Sequence, residues 1–326
     1  MTDHDALKTE KDNSRYLEDV DLTEDQAVAP LPPEGPGDRE FTVEARSRGK
    51  MVLRRFLRHR LAMTATIVFI ALVLFAFVGP LIWTKGIGPD YGSLLPPSAE
   101  HPFGTERLGR DMLAMIMAGT QYSLFISIVV AVVATVLGVT LGAIAGFYGG
   151  WVDSLVNRFL ELNLMLPSVV VVGVMVVYFE GSWFWVAMFL GLTNWMTLAR
   201  VIRGMVLSLR EKEFVESARA LGGSNARIVF KHIVPNTSDV IIVNTTLTIA
   251  QAVLLEAALS FIGLGVQPPD TSLGLLINQT QGYLPTPQAI LFWIPLLFIV
   301  LISLCVNFIG DGLRDALDPR QNRVRA

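Results

Sequence analysis

The chain has 326 residues, of which 52% are hydrophobic and only 17% are charged, and its formal net charge is −3. Soluble domains carry about 25% charged residues, so this composition favours a membrane protein over a soluble one. The acidic balance argues against a nucleic-acid binder. The single cysteine, Cys305, excludes a disulfide framework and a cysteine-based metal cluster, and the four scattered histidines show no ligand spacing.

The first 45 residues are predicted to form a disordered acidic tail in the cytoplasm. Residues 1–44 hold 13 of the 29 acidic residues, and the segment ends in the turn-rich stretch APLPPEGPGD. The first 40 residues contain no apolar stretch of the kind that a secretory signal peptide needs. A basic juxtamembrane segment follows at 46–60, directly before the first apolar run.

Six apolar runs predict transmembrane helices, because lipid offers no partner for an unpaired backbone group. They are Leu61–Trp83, Leu124–Phe147, Leu162–Tyr178, Phe184–Leu198, Val240–Leu264 and Ala289–Ile309. The third and fourth runs are short and are joined only by FEGS, which predicts a helical hairpin. The predicted fold class is therefore an all-α membrane protein, with a six-span domain at 61–326 that includes a cytoplasmic loop at 199–239.

The distribution of lysine and arginine predicts the orientation of these spans. If the N-terminus is inside, 23 of the 26 basic residues lie in cytoplasmic segments. Positively charged residues are enriched in cytoplasmic loops. Both termini are accordingly expected in the cytoplasm.

Small residues recur every four positions along the second predicted span, at Ala134, Gly138, Gly142 and Gly146. On a helix this spacing forms one face, and small residues there let two helix backbones approach closely. The pattern predicts tight packing, either inside this subunit or against a partner, and implies no chemistry.

Polar residues mark one face of the fifth predicted span, at Asn244, Thr248 and Gln251, with Glu256 further along the same helix. Polar groups at membrane depth are costly and tend to face a bundle interior or a water-filled path. These four residues are candidates to line a transport path, and polar packing against a neighbouring helix is the alternative. For Glu256, capping of a broken or re-entrant segment before the following GLG is a further alternative.

A charged segment, EFVESARALGGSNARIVFKHIVPN, lies in the predicted cytoplasmic loop at Glu213 to Asn236. Its first half predicts an amphipathic helix that Gly222-Gly223 ends, because glycine adopts the left-handed conformation without strain. The predicted apolar face of this helix is Phe214, Val215, Ala218 and Leu221.

In the second half, Ser224 is predicted to cap another helix, and Pro235 is predicted to stop it. The predicted apolar side of this second helix is Ile228, Val229 and Ile233. A helix–Gly-Gly–helix unit of this kind suits docking in a groove of another protein. A hairpin lying on the membrane surface is the alternative.

The spacing Glu216-x-Ala218-x-x-x-Gly222, followed by Ile233-x-Pro235, resembles the EAA loop of permease subunits in ATP-binding-cassette (ABC) importers. The family's first alanine is Ser217 in this chain. Four further stretches resemble the C-type permease subunit of oligopeptide, dipeptide and nickel importers, and the resemblance runs from about Arg54 to Arg320. They are RRFLRHRLAM, HPFGTERLGRDML, LLEAALSFIGLGVQPP and GDGLRDALDPR.

The resemblance implies a type I ABC importer permease fold, in the cell membrane of a bacterium or archaeon. It also implies that the EAA loop is a coupling helix that docks on a cytoplasmic ATPase. The coupling residues carried over in this way are Glu216, Ser217, Ala218, Gly222, Gly223 and Pro235. The implied partners are a second, B-type permease subunit, two ATP-binding subunits and an extracytoplasmic substrate-binding protein, besides membrane lipid.

The chain itself is not expected to be an enzyme or to bind a cofactor or a metal. The phosphate loop G-x-x-x-x-G-K-[ST] is absent from the sequence, so ATP and Mg²⁺ are expected on the partner ATPases. No nucleophile, base and acid occur together. An intramembrane enzyme would have to use Glu256 in a span or His232 in the cytoplasmic loop, and neither has a second catalytic group beside it.

Peptides are the favoured cargo, because they are the commonest cargo in the family that this chain resembles. Nickel and oligosaccharides are the alternatives. A different class of function is a secondary transporter that works alone. Such transporters are often built from inverted repeats with paired broken helices, and no clear repeat is present in this sequence.

Overall fold

The computed structural model describes residues 48–88 and 91–318, and this part of the chain is built of helices. The acidic tail that the sequence predicts to be disordered lies outside the described residues. In chain order the α-helices are α1 (Arg48–Arg58), α2 (Arg60–Ile82), α3 (Met112–Tyr148), α4 (Gly150–Met165), α5 (Ser168–Tyr178), α6 (Trp183–Asn194), α7 (Met196–Leu209), α8 (Glu213–Ala220), α9 (Ser238–Phe261), α10 (Leu273–Thr280) and α11 (Ile290–Leu317).

Within the described residues, five helical segments are long and apolar enough to cross a membrane. They are Arg60–Ile82, Met112–Tyr148, Trp183–Leu209, Asn225–Phe261 and Pro287–Leu317. A sixth span exists only if α4 and α5 are counted together, since the chain bends by 82° between them. The prediction of an all-helical membrane protein is confirmed, with five spans or up to six.

The short third span predicted at Leu162–Tyr178 is not one continuous helix, because a proline breaks it. Pro167 disfavours the helical conformation of the residue before it, and Leu166 is accordingly extended, with φ −93° and ψ 128°. Helix α5 then begins at Ser168. The predicted run therefore joins the last turn of α4 to a separate, differently directed helix.

The second span begins at Met112, twelve positions before the predicted Leu124. The Asp111 carboxylate caps this longer helix by accepting a hydrogen bond from the backbone N–H of Ala114 at 2.9 Å. The hairpin predicted at FEGS is confirmed, because Gly181, with φ +66°, closes the turn between α5 and α6. Its N–H donates to the carbonyl of Val176 at 3.1 Å.

The small-residue face of α3 packs against α7 of the same chain. A Cβ atom placed on Gly138 would lie 2.9 Å from the carbonyl oxygen of Trp195, and one on Gly146 would lie 2.7 Å from that of Arg203. Such distances leave room for glycine alone. The predicted close approach is confirmed, and of the two alternatives the structure shows packing inside the subunit.

Candidate functional site

The first half of the charged segment forms α8, which ends as the sequence predicts. Gly222 has φ +78°, and its N–H donates to the carbonyl of Arg219 at 3.0 Å. The N–H of Gly223 donates to the carbonyl of Ala218 at 3.0 Å. This pair of hydrogen bonds is a Schellman motif, which satisfies carbonyls at a helix end through a left-handed glycine. The next helical turn begins at Ser224, whose hydroxyl accepts from the N–H of Arg227 at 3.4 Å.

The prediction that Pro235 stops the second helix is wrong. A short α-turn at Asn225–Arg227 continues into a π-helix at Ile228–Ile233 and a 3₁₀-helix at Val234–Thr237, which runs directly into α9. Proline lies in the first turn of the 3₁₀-helix, where its missing N–H would have no partner within that helix. The second half of the segment is therefore the start of the fifth span.

A buried apolar cluster joins this segment to the ends of α3 and α7. Val215 of α8 is fully buried in it, together with Ile228, Val229 and Ile233, whose predicted inward side is confirmed. The cluster also contains Ala143 and Phe147 of α3 and Leu198, Ile202 and Val206 of α7. Helix α8 therefore packs into the same buried cluster as two spans.

Half of the predicted apolar face of α8 points outward instead. Val215 is buried and Ala218 half-buried, whereas Phe214 and Leu221 are exposed, Leu221 to 89%. A single short helix can bury only the side chains that face the bundle, and Leu221 follows the last helical residue, where the chain turns away. The outward side chains form what we call the coupling surface: Glu213, Phe214, Glu216, Ser217 and Leu221.

The coupling surface combines an apolar centre with acidic groups. Among the described residues, the carboxylate of Glu216 makes neither a hydrogen bond nor an ion pair, so it is free to meet a partner. Both Glu213 and Glu216 lie in the first turn of α8, where the helix dipole stabilises negative charge. Within the described residues, neither the Leu221 side chain nor these two carboxylates are covered by another part of the chain.

Arginines hold the same end of the bundle together. Arg203 of α7 forms a two-pronged ion pair with Asp153 of α4, with Nη2 to Oδ2 at 2.7 Å. Arg210 donates through Nη1 to the carbonyls of Gly146 at 3.2 Å and of Phe147 at 3.4 Å. These carbonyls belong to the last turn of α3, where carbonyls lack partners within the helix. Sequence reasoning missed these contacts, since Asp153 and Arg203 are 50 positions apart and no local spacing connects them.

Of the polar face predicted on α9, Asn244 lines a cleft, whereas Thr248 and Gln251 lie outside its lining. Asn244 donates through Nδ2 to the carbonyl of Val240 at 2.9 Å, Thr248 donates to the carbonyl of Asn244 at 2.9 Å, and Gln251 is exposed. The cleft has a volume of about 470 Å³ and opens between α9 and α11. Its lining includes Met205, Asn236, Asp239, Val240, Val243, Asn244, Leu247, Arg314, Leu317 and Asp318.

Glu256 lies in a different place from the other three polar residues. It is fully buried, and its carboxylate accepts hydrogen bonds from the hydroxyls of Ser260 at 2.7 Å and Ser123 at 3.2 Å. The Ser123 hydroxyl in turn accepts from the N–H of Leu273 at the start of α10. The twelve positions between Glu256 and Asn244 correspond to about 18 Å along a helix, so the two do not share one site.

A second buried polar cluster fixes the loop between α2 and α3. Asp111 is fully buried, and its Oδ2 lies 2.7 Å from Nδ1 of His101. The indole N–H of Trp83 donates to its Oδ1 at 3.0 Å. Sequence reasoning treated the histidines as scattered and missed this pair. Because Asp111 also caps α3 and accepts from Trp83, the Asp111–His101 pair holds the loop against the start of this helix and has a structural role.

Two family models match the chain. The model described as "Binding-protein-dependent transport system inner membrane component" matches residues 138–323. The model described as "N-terminal TM domain of oligopeptide transport permease C" matches residues 47–97. The first match contains the whole charged segment, the cleft and Glu256.

Curated proteins similar to this chain carry the name "Oligopeptide transport system permease protein OppC". The one from Mycobacterium tuberculosis is 40% identical over 288 residues, which cover 86% of this chain and 98% of the relative. The one from Salmonella typhimurium is 42% identical over 286 residues, covering 86% and 94%. The one from Escherichia coli K12 is 38% identical over 286 residues with the same coverage.

Proposed function

Since the chain belongs to the family of binding-protein-dependent transport system inner membrane components, we propose that it is a permease subunit of a peptide-importing ABC transporter. It is a membrane-embedded transport component and not an enzyme. The relatives named above are oligopeptide permeases, which favours peptides as its cargo over nickel or oligosaccharides.

The observation that carries this proposal is the coupling surface on α8. It is anchored to the ends of α3 and α7 through Val215, while its outward face carries Leu221 and the unpaired carboxylate of Glu216. A stand-alone secondary transporter has no use for such a surface, whereas a permease driven by a separate ATPase needs one.

Coupling by this route is mechanical. ATP closing two partner ATPases would draw the coupling helices together, and α8 would carry the buried cluster with it. Because packed interiors shift as units and not by gradual deformation, the ends of α3 and α7 would follow, and the spans would open on the opposite side. ATP hydrolysis would reset the bundle. In this proposal Gly222 and Gly223 end the docking helix, and Glu216 and Ser217 lie at the contact. The half-buried Ala218 packs α8 onto the buried cluster, and Pro235 joins the segment to the fifth span.

We place both termini in the cytoplasm, on the same side as the coupling surface, which requires α4 and α5 together to form the sixth span. One chain with five or six spans encloses too little for a peptide path, so a second, B-type permease is its proposed partner. Asn244, Thr248 and Gln251 are proposed to line that shared path. For Glu256 we favour the packing alternative, because serine hydroxyls surround its carboxylate.

The proposal is tested by purifying the chain from its native membrane in mild detergent and identifying what accompanies it by mass spectrometry. We expect P-loop ATPases, a second permease subunit and an extracytoplasmic binding protein whose ligand is a peptide. Recovery of the chain alone, active in transport, would return the secondary transporter to first place. A binding protein that carries nickel or a sugar would overturn the peptide assignment alone.

A further inference from the structure

The first described helix, α1, has two faces of different character. Its inward face holds Val52, Arg55 and Phe56, all half-buried. Nη1 of Arg55 donates to the carbonyl of Asp318 at 3.2 Å, which fixes α1 to the end of α11. Nε2 of His59, just after α1, lies 3.5 Å from a carboxylate oxygen of Asp315.

The outward face of α1 is both apolar and basic. Leu53 and Leu57 are exposed to 58% and 53%, and one helical turn separates them. Lys50, Arg54 and Arg58 are exposed too, and at about 100° per residue they form a stripe directly beside the two leucines. No contact within the described part of the chain covers this double stripe.

The position of α1 places this face at a membrane boundary. His59 interrupts the helix with φ −82° and ψ 99°, and the first span begins at Arg60. The break lets α1 depart from the direction of that span and lie along the surface. A short helix with leucines beside basic residues is the usual form of an interfacial helix, whose apolar side enters the acyl boundary while its cations meet headgroups.

We propose that the outward face of α1 binds anionic phospholipid, with Leu53 and Leu57 in the acyl boundary and Lys50, Arg54 and Arg58 on the headgroups. The acidic tail of the same chain is the rival occupant, since residues 1–44 carry 13 acidic residues. Carboxylates of the tail would satisfy the basic stripe but leave the two leucines in water. Anionic lipid satisfies both stripes at once.

The first test uses the assembled complex and native mass spectrometry, comparing its binding of phosphatidylglycerol and phosphatidylcholine. Each basic residue near an anionic surface contributes roughly five- to sixfold in affinity, so Arg54→Gln with Arg58→Gln should reduce the preference for phosphatidylglycerol by about 30-fold. Arg107→Gln is the matched control, because Arg107 is exposed in the loop between α2 and α3. An unchanged preference in the double variant would overturn the proposal.

The second test measures depth and leaves every basic residue in place. A nitroxide on Leu57→Cys should be shielded from a water-soluble relaxing agent in vesicles containing phosphatidylglycerol, and less so in phosphatidylcholine alone. The native Cys305 is buried and should stay unlabelled, and a label on Leu74→Cys, lipid-facing in the middle of α2, should be shielded in both. If the label is exposed in both lipids and responds only to removal of residues 1–45, the tail is the occupant. Neither readout depends on transport, so failure here leaves the proposed function untouched.

Discussion

Leu221→Ala should weaken binding of the ATPase without affecting the folding of the permease. Its side chain is 89% exposed in the isolated chain, so Leu221→Ala removes almost no packing within the subunit. If an ATPase groove buries that side chain, the variant loses most of three carbons at about 0.8 kcal/mol each, or about 2 kcal/mol. That loss corresponds to an affinity about 30-fold weaker.

The assay titrates the purified ATPase into the permease pair in nanodiscs and follows binding, with thermal unfolding of the permease pair measured beside it. We expect weaker binding with an unchanged melting temperature. Leu108→Ala makes the same chemical change at a side chain exposed to 62% in the loop before α3, and should alter neither quantity.

Val215→Ala gives the opposite pattern, because Val215 is fully buried in the cluster with α3 and α7. It should lower the melting temperature and uncouple ATP hydrolysis from uptake while the outward face stays intact.

Wild-type ATPase affinity in Leu221→Ala would refute the reasoning, since the coupling surface would then not be the contact.

Three further predictions concern the docking segment, the glycine face of α3 and the buried Glu256. Gly222→Pro places proline where the backbone has φ +78°, which proline cannot adopt. This variant and Glu216→Lys should still insert into the membrane, but should bind the ATPase more weakly and abolish uptake in vesicles. Normal uptake by both would contradict the docking assignment. Gly142→Val should lower the melting temperature by loosening α3 from α7, at a cost of about 1–3 kcal/mol, whereas Gly204→Ala, with open space around it, should not. Glu256→Ala should cost about 1–3 kcal/mol in unfolding measurements by leaving serine hydroxyls without an acceptor, and changed cargo selectivity in this variant would instead support a place on the path.

The existence of most spans was predictable from the sequence, because burial in lipid and helix formation act on local composition. The first predicted span, Leu61–Trp83, differs from α2 by one residue at each end. The glycine face of α3 and the Gly222-Gly223 helix end were predictable for the same reason, since each depends on neighbours within one or two turns.

The features that could not be predicted from the sequence depend on tertiary contacts and on two prolines. Pro167 breaks a run that hydropathy treats as continuous, whereas Pro235 lies in a helix start that accommodates it. Periodicity located an amphipathic helix at α8 but could not say that Phe214 and Leu221 face outward, because the bundle covers only one side of so short a helix. The ion pair of Asp153 with Arg203 joins helices that no local pattern connects.

The central claim, that the segment from Glu213 to Asn236 docks on an ATPase, is tested most directly by photo-crosslinking at position 221 in the assembled complex in its native membrane. We expect an adduct with a P-loop ATPase from a photoreactive residue in place of Leu221, and none with an ATPase from one in place of Leu108. An active complex in which position 221 crosslinks only to lipid, or to no ATPase, would contradict the claim.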